Sequence, residues 1–529
     1  MRLRNAVAVL SAVGLAFGLA SCSSNGDNAA TGAAGANYVR TFGTEPQNPL
    51  LPGDTNEVGG GNIIDLLFSG LVYYDAEGEI HNELAESIET QDSQHFTVKI
   101  KDGETFSDGS PVTAHSFVDA WNYSVENSQL GAYFFKPILG YKEGVKEMEG
   151  LKVEDDHTFT IELTQPEADF PTRLGYSAFY PLPESAFADM KAFGENPVGN
   201  GPYKLLEWNH NQDATVVPDE TYSGDRKAKN DGVQFVFYSK QDAAYADLLA
   251  GNLDVLDQVP DTAFATYQDE LADRSVNKPG AVFQSITLAG NDDRFSGEAG
   301  KLRREAISMA IDREEITKTI FEGTRTPATD FTSPVIPGHS DSLKGTDVLK
   351  FDPAKAKELW DEAEKMEPFT GELTIGYNSD GGHQAWVDAV ANQLRNNLGI
   401  EANGAPTPDF KTLRDDVTER TIKGAFRTGW QADYPSLGNF LGPLYGTGGG
   451  SNDGDYSNPA FDDKLKQASG AQDLEDANKF YNEAQEILLK DLPAIPLWYS
   501  NTVGGHSENV DNVEFSWKSV PVYYEITKK

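Results

Sequence analysis

The sequence predicts an α/β protein of two or three globular lobes, and three observations carry that expectation. The chain has 529 residues, whereas single hydrophobic cores stop growing at about 250–300 residues. Runs with strand alternation give way repeatedly to runs with helical spacing, the pattern of sheets covered by helices. Apolar residues make up 39% and aromatics 11%. That is enough for cores that must hold without disulfides, because Cys22 is the only cysteine.

The chain opens with Arg2 and Arg4, then an apolar run from Ala6 to Ala20 that ends in Leu19-Ala20-Ser21-Cys22. A charged head, an apolar stretch and small residues before a fixed point have the form of a secretory signal. The run is shorter than the roughly 20 residues a spanning helix needs. Leu-Ala-Ser-Cys resembles the lipobox of bacterial lipoproteins, in which cleavage leaves the cysteine carrying a lipid. The alternative is an ordinary cleaved signal with an incidental cysteine. Residues 1–21 are therefore expected to be a signal peptide and residues 22–36 a lipidated tether. Positions 23–36, SSNGDNAATGAAGA, hold no large apolar side chain, and such a segment has a reach of about 20 Å.

Tyr38–Phe42 alternates like a strand, as do Phe96–Ile100 and His157–Leu163. Pro111 and Thr113 introduce a helix with Phe117, Ala120, Trp121 and Ser124 on one face. Leu302–Phe321 reads as one amphipathic helix, and Asp352-Pro353 as an N-cap with proline at the first helical position. The strand Leu373–Tyr377 precedes a helix carrying Trp386, Val390, Leu394 and Leu398. Gly446–Gly454 (GTGGGSNDG) is expected to be a mobile loop or a place where backbone approaches a ligand closely.

The formal net charge is −40. Loss of residues 1–21 removes Arg2 and Arg4 and no acid, leaving about −42. A field of that sign repels phosphate backbones and argues against nucleic-acid binding. No Gly-x-Ser-x-Gly, His-Glu-x-x-His, phosphate loop or Gly-x-Gly-x-x-Gly occurs. Asp453-Gly454-Asp455 begins like a calcium loop, but Lys464 stands where a bidentate Glu is required. The eight histidines lack ligand spacing. No enzyme activity and no cofactor are expected.

Seven segments, in order, carry a resemblance. They are Phe96–Ser110 (FTVKIKDGETFSDGS) with Pro111–Ala114, Asn196–Tyr203 (NPVGNGPY), Leu302–Ile316 (LRREAISMAIDREEI), Phe351–Leu359 (FDPAKAKEL), Gly429–Tyr434 (GWQADY), Tyr456–Leu465 (YSNPAFDDKL) and Pro493–Trp498 (PAIPLW). Together they resemble the peptide/nickel-binding family of bacterial extracytoplasmic solute-binding proteins, the receptors of ATP-driven (ABC) importers. The resemblance implies a two-lobed, hinged periplasmic-binding-protein fold with an additional domain inserted beside lobe one. The chain would cross the hinge near Gln284 and Tyr499. Lobe one would combine residues 37–60, 181–283 and 500–529, the extra domain 61–180, and lobe two 284–499.

The same resemblance implies a monomeric receptor, anchored to the membrane by lipidated Cys22, that hands short peptides to ABC permease subunits. In oligopeptide-binding members, the stretch similar to Arg427-Thr428-Gly429-Trp430-Gln431-Ala432-Asp433-Tyr434 holds the ligand. Carried over, Asp433 grips the peptide α-ammonium, Trp430 borders a side-chain pocket and Arg427 meets the carboxylate. Gly429 would pair with peptide backbone, Glu45 and Gln47 belong to the N-terminal binding segment, and Tyr133 lines the cleft. The residues alone also admit Trp430 as core, Asp433 as a turn residue and Arg427 as a surface cation. Within the same fold the ligand could instead be a nickel complex, haem, a sugar or a signalling peptide. An extracellular hydrolase or an adhesion module is the reading from another class.

The lipobox reading predicts that Cys22→Ala accumulates uncleaved, unlipidated precursor. Metabolic labelling with palmitate is the measurement, and undiminished label in the mutant would refute it.

Overall fold

The computed structural model describes residues 37–529. The signal, Cys22 and the tether lie outside the described residues. Strands and helices intermix along the chain, and a mixed sheet forms the frame of two lobes. From one edge its strands run Ala402–Thr407, Leu373–Asn378, Ala425–Gln431, Ser275–Leu288 and Ala494–His506. They continue with Val255–Leu256, Val39–Gly43, Val233–Phe237, Asp213–Pro218 and Tyr203–Asn209, and Arg325–Pro327 pairs onto Ala494–His506 from the side.

Ser275–Leu288 and Ala494–His506 are the two longest strands of this sheet and lie side by side at its centre. They pair antiparallel from Ser275↔Gly505 to Thr287↔Ala494, with irregularities between Pro279 and Val282 and between Gln284 and Ser285. Gln284 faces Trp498 and Phe283 faces Tyr499, so the two expected crossing points stand one rung apart.

The cores divide along that line. One cluster joins Val39, Ile63, Trp121, Phe159, Val216 and Phe235. A second joins Phe283, Ile307, Trp360, Trp386, Leu488 and Trp498. A smaller third lies beneath Phe42, Leu248, Tyr267 and Val503. The first cluster includes both lobe-one strands and the inserted unit. That unit is a four-stranded sheet, Ala85–Thr90, His95–Ile100, Thr158–Glu162 and Leu151–Asp155, with the helix Ala114–Glu126 against it. The boundary drawn at residue 61 falls inside the helix Val58–Leu67, whose Ile63 and Leu66 belong to the shared core.

Helix Ala114–Glu126 forms as its spacing requires. Thr113 and Ser116 make a reciprocal capping box, and Phe117, Ala120, Trp121 and Ser124 are all buried. Trp121 donates its indole N–H to the carbonyl of Phe179 (3.0 Å) and meets the rings of Phe117, Phe159 and Phe179 edge-on. The Asn-Pro-Val-Gly-Asn-Gly-Pro-Tyr segment locks the end of helix Val58–Leu67. A Cβ on Gly199 would lie 1.8 Å from the Leu67 carbonyl oxygen. Asn200 accepts from the Ser69 amide and donates to the Ser69 carbonyl, both at 3.1 Å.

Two expectations change. The single helix over Leu302–Phe321 is two, Gly297–Met309 and Arg313–Thr319. Asp312 breaks it by accepting from the Glu315 amide (2.9 Å) as a new N-cap. The glycine-rich stretch Gly446–Gly454 is met at its end by protein rather than by a cleft, while Gly448 and Gly450 face open space. A Cβ on Gly454 would lie 3.0 Å from the Thr287 methyl, Asp453 pairs with Arg414 (2.6 Å) and Asp455 with Arg420 (2.7 Å).

A buried ion pair ties the inserted unit to lobe one. Arg226 Nε and Nη2 each donate to Glu83 at 3.0 Å, and the same guanidinium satisfies the Asp65 carbonyl (3.0 Å) and the Ser69 hydroxyl (2.9 Å). Removing one partner strands a buried charge at a cost of about 3–5 kcal/mol, whereas an apolar pair of similar volume is often neutral. Arg226→Met alone should therefore lower unfolding free energy by about that amount. Adding Glu83→Leu should recover part of it, as read by urea denaturation; equal destabilisation by single and double variants would contradict the assignment.

Candidate functional site

Beside the paired central strands, the lobes leave a cleft of adjoining cavities. The larger, of about 970 Å³, is bounded by Gln241 and Phe264 on one side and Ile320, Arg325, His383 and Trp386 on the other. The second, of about 350 Å³, is bounded by Glu57, Asp65, Tyr176, Asp433 and Lys518. Asp257 and Gln258 line both, so the two adjoin. Cavities of this order hold small ligands.

Asp433 follows the strand Ala425–Gln431 and is partly buried. Burial pushes its carboxyl above the ordinary value, opposed by Asn439, Lys518 and Arg173. Asn439, itself buried, fixes it in place: its amide N–H donates to Asp433 Oδ2 (3.3 Å). The Asn439 carbonyl oxygen accepts both the Asp433 backbone N–H (3.1 Å) and the Trp430 indole N–H (3.2 Å). Trp430 thus packs against the lobe-two core and is bracketed to Asp433 through one side chain. Tyr133 and Tyr176 complete this end. Burial raises both phenols, and the Asp433 charge raises them further. Phe134 links the two rings, with centroids 4.2 Å from Tyr133 and 4.4 Å from Tyr176.

Gly429 lies on a strand with one edge open. Ala425–Gln431 pairs with Val282–Leu288 along its whole length, but its other neighbour, Leu373–Asn378, meets it only at Ala425 and Phe426. The Ala432 amide donates to Ala281 (3.0 Å). By the alternation of an antiparallel ladder, the amides of Gly429 and Gln431 therefore point to the open edge. An extended chain laid there would add a strand.

Three sequence-derived candidates stand apart from this group. Arg427 holds its guanidinium over the Phe410 ring, 5.5 Å from the centroid. Glu45 accepts from the Asn211 amide (2.7 Å) and pairs with His210 (2.8 Å), which also reaches Glu195. Its carboxylate serves the Tyr203–Asn209 and Asp213–Pro218 hairpin. Gln47 is exposed, its backbone N–H meeting Glu57 at 3.4 Å. The neighbouring Thr44 lines a cavity that Asp257 also borders.

The cleft also holds residues that sequence reasoning did not single out: Asn439, Tyr176, Lys518, Arg325 and Asp257. Arg325 lines the larger cavity, donates to the Thr324 carbonyl (2.7 Å) and lies 5.1 Å from the Phe321 centroid; no carboxylate pairs with it among the described residues. Burial lowers its pKa, the mark of a cation without an acid. Lys518 donates to Asp65 (3.0 Å). Asp257 is 7% exposed, its Oδ1 makes no hydrogen bond, and burial pushes its carboxyl up to about 7. The sequence offers a signal only for Asp257, as an acid directly after a short apolar strand.

A two-lobed α/β fold with a cleft between its lobes is an architecture of binding proteins. The model of the bacterial extracellular solute-binding proteins, family 5, matches residues 79–452, and the chain belongs to that family. The dipeptide-binding protein DppE of Bacillus subtilis (strain 168) is 28% identical over 95% of each chain. A solved structure of MppA, described as a periplasmic murein tripeptide-binding protein in its unliganded open form, superposes with a TM-score of 0.82. It is 25% identical and covers 93% of this chain and 97% of that one. Haemophilus influenzae OppA in complex with RPPGFSPFR superposes at 0.69, 24% identical, over 93% and 99%; at that identity the likeness is one of fold. These relatives are binding proteins.

Asp257 gives a pH test of this geometry. Its folded pKa lies above the unfolded value near 3.9, so between about pH 4 and 7 the folded state binds more protons and stability falls as pH rises. Asp257→Asn should therefore gain stability at pH 8, by up to about 2–4 kcal/mol, and lose that gain towards pH 4. Thermal unfolding across pH reads it, and a pH-independent difference would contradict it.

Proposed function

We propose that the protein is a lipid-anchored extracytoplasmic receptor that binds short peptides in the interlobe cleft and delivers them to an ABC-type permease. The observation that carries this reading is the Asp433 carboxylate, partly buried at the end of a strand whose edge is open at Gly429 and Gln431. A free α-ammonium would meet the carboxylate in a short charge-assisted hydrogen bond, while peptide backbone pairs with the strand edge. Trp430, Tyr133 and Tyr176 supply apolar walls that contact side chains without selecting one sequence.

Arg325 is better placed than Arg427 to receive the far carboxylate, since it lines the larger cavity without an acid of its own. The names of DppE and MppA, a dipeptide-binding and a murein tripeptide-binding protein, support a peptide ligand. The likeness to an unliganded open form supports closure about the central strands near residues 284 and 499 as the signal a permease reads. In this reading Cys22 holds the receptor to the membrane beside its permease, and the tether keeps its effective concentration high. The receptor acts as a monomer and catalyses nothing.

Calorimetry with a tripeptide and its N-acetylated form tests the amine contact. Acetylation should cost at least about tenfold in affinity, in line with loss of a charge-assisted hydrogen bond. Asp433→Asn should weaken the free tripeptide and narrow the gap between the two forms. Acidification through the raised Asp433 pKa protonates the acceptor and should weaken binding in wild type. Equal binding of both forms by wild type would overturn the assignment.

A further inference from the structure

Asp257 has no part in the reading above, and its surroundings set it apart from the other buried acid of its own segment, Asp254. Asp254, three residues earlier, is equally buried and fully served: Lys528 reaches both of its oxygens (2.9 and 2.8 Å), and the Arg40 amide (2.8 Å) and the Ser507 hydroxyl (3.3 Å) complete it. Asp257 accepts from its own backbone N–H and meets no cation. Its Oδ1 lacks a hydrogen bond, and the titratable group facing it is the Tyr523 phenol, neutral at physiological pH. Yet Asp257 borders three adjoining cavities of the cleft, among them the one that holds Asp433. A carboxylate buried without a cation is costly, and Asp257 lines the cavities from which a ligand cation would come.

The charges around the shared cavity point the same way. Of its acids, Asp65 is paired with Lys518 and Glu57 caps the helix Val58–Leu67 through the Gly60 amide. Asp433 and Asp257 remain without a cation in direct contact. The chain thus leaves two positions for positive charge in one cavity, whereas a peptide with neutral side chains brings one.

We propose that Asp257 receives a second cationic group of the ligand, a lysine or arginine side chain, so that the cleft favours basic peptides; this rests on the peptide reading above. Partial protonation before binding, which burial imposes on Asp257, keeps the empty cleft from holding two unpaired charges. The incoming cation then expels that proton.

Tripeptides of alanine with lysine placed in turn at each of the three positions, each against its norleucine counterpart, test this by calorimetry. At one position lysine should bind about tenfold or more tighter, the scale of one charge-assisted contact. Asp257→Asn should reduce that ratio to about threefold or less. In buffers of different ionisation enthalpy, wild type should release protons with the lysine peptide beyond those released with norleucine. Equal affinities at all three positions, with norleucine peptides still bound, would overturn this assignment and leave the peptide reading standing. A lysine preference undiminished in Asp257→Asn would overturn it as well. If neither series binds, the peptide reading falls and this inference with it. Should Asp257→Asn fail to fold, the wild-type proton release decides: none beyond norleucine means that no cation reaches the carboxyl.

Discussion

The antiparallel pairing of Ser275–Leu288 with Ala494–His506 is the constraint on which the rest of the molecule hangs. These strands belong to both halves of one sheet, so each lobe is built outward from a shared seam. Lobe one adds Val255–Leu256 and Val39–Gly43 to one side of the seam, and lobe two adds Ala425–Gln431 to the other. The strand that carries Trp430 and leads to Asp433 is therefore hydrogen-bonded to the seam itself. So is the short strand before Asp257. The cleft needs no separate scaffold, because its walls are the first neighbours of the crossing strands.

Electrostatics decides what such a cleft can hold. Most acids of this chain face water, where they cost little and mean little. Asp433 and Asp257 differ because burial acts on each and direct ion pairing acts on neither. Arg325 is the counterpart of opposite sign. Groups left in that condition gain most from a guest that brings the missing opposite charge. The three line adjoining cavities, and in the proposed reading they would meet a ligand charged at more than one point.

Local chemistry was legible in the sequence wherever neighbours along the chain settle the outcome. Helix Ala114–Glu126 follows from Thr113, Ser116 and the spacing of Phe117, Ala120, Trp121 and Ser124. The stretch Gly429–Tyr434 pointed to Trp430 and Asp433, which the fold does bring together. What escaped was set by distant partners. Lys518 meets Asp65 across 453 positions, and nothing near either residue announces the other. Asp254 and Asp257 look alike on the page, and only the arrival of Lys528 distinguishes the satisfied acid from the orphan. Glu45 stands in a segment that resembles the family's N-terminal binding segment, and in the fold His210 and the Asn211 amide engage its side chain. Asp312 sits inside the amphipathic run Leu302–Phe321, but its side chain caps a new helix and so ends the one before it.

Asn439 has a consequence for the thermodynamics of recognition. One buried amide fixes the rotamers of both an aromatic wall and an acid. The entropy of ordering them is thus spent when the protein folds rather than when a guest arrives, the condition for tight association over a small contact area. The same bond denies the two side chains independent adjustment. A change in the shape of the wall is transmitted to the position of the charge, so selectivity for the bulk of a guest and for its charged end must drift together.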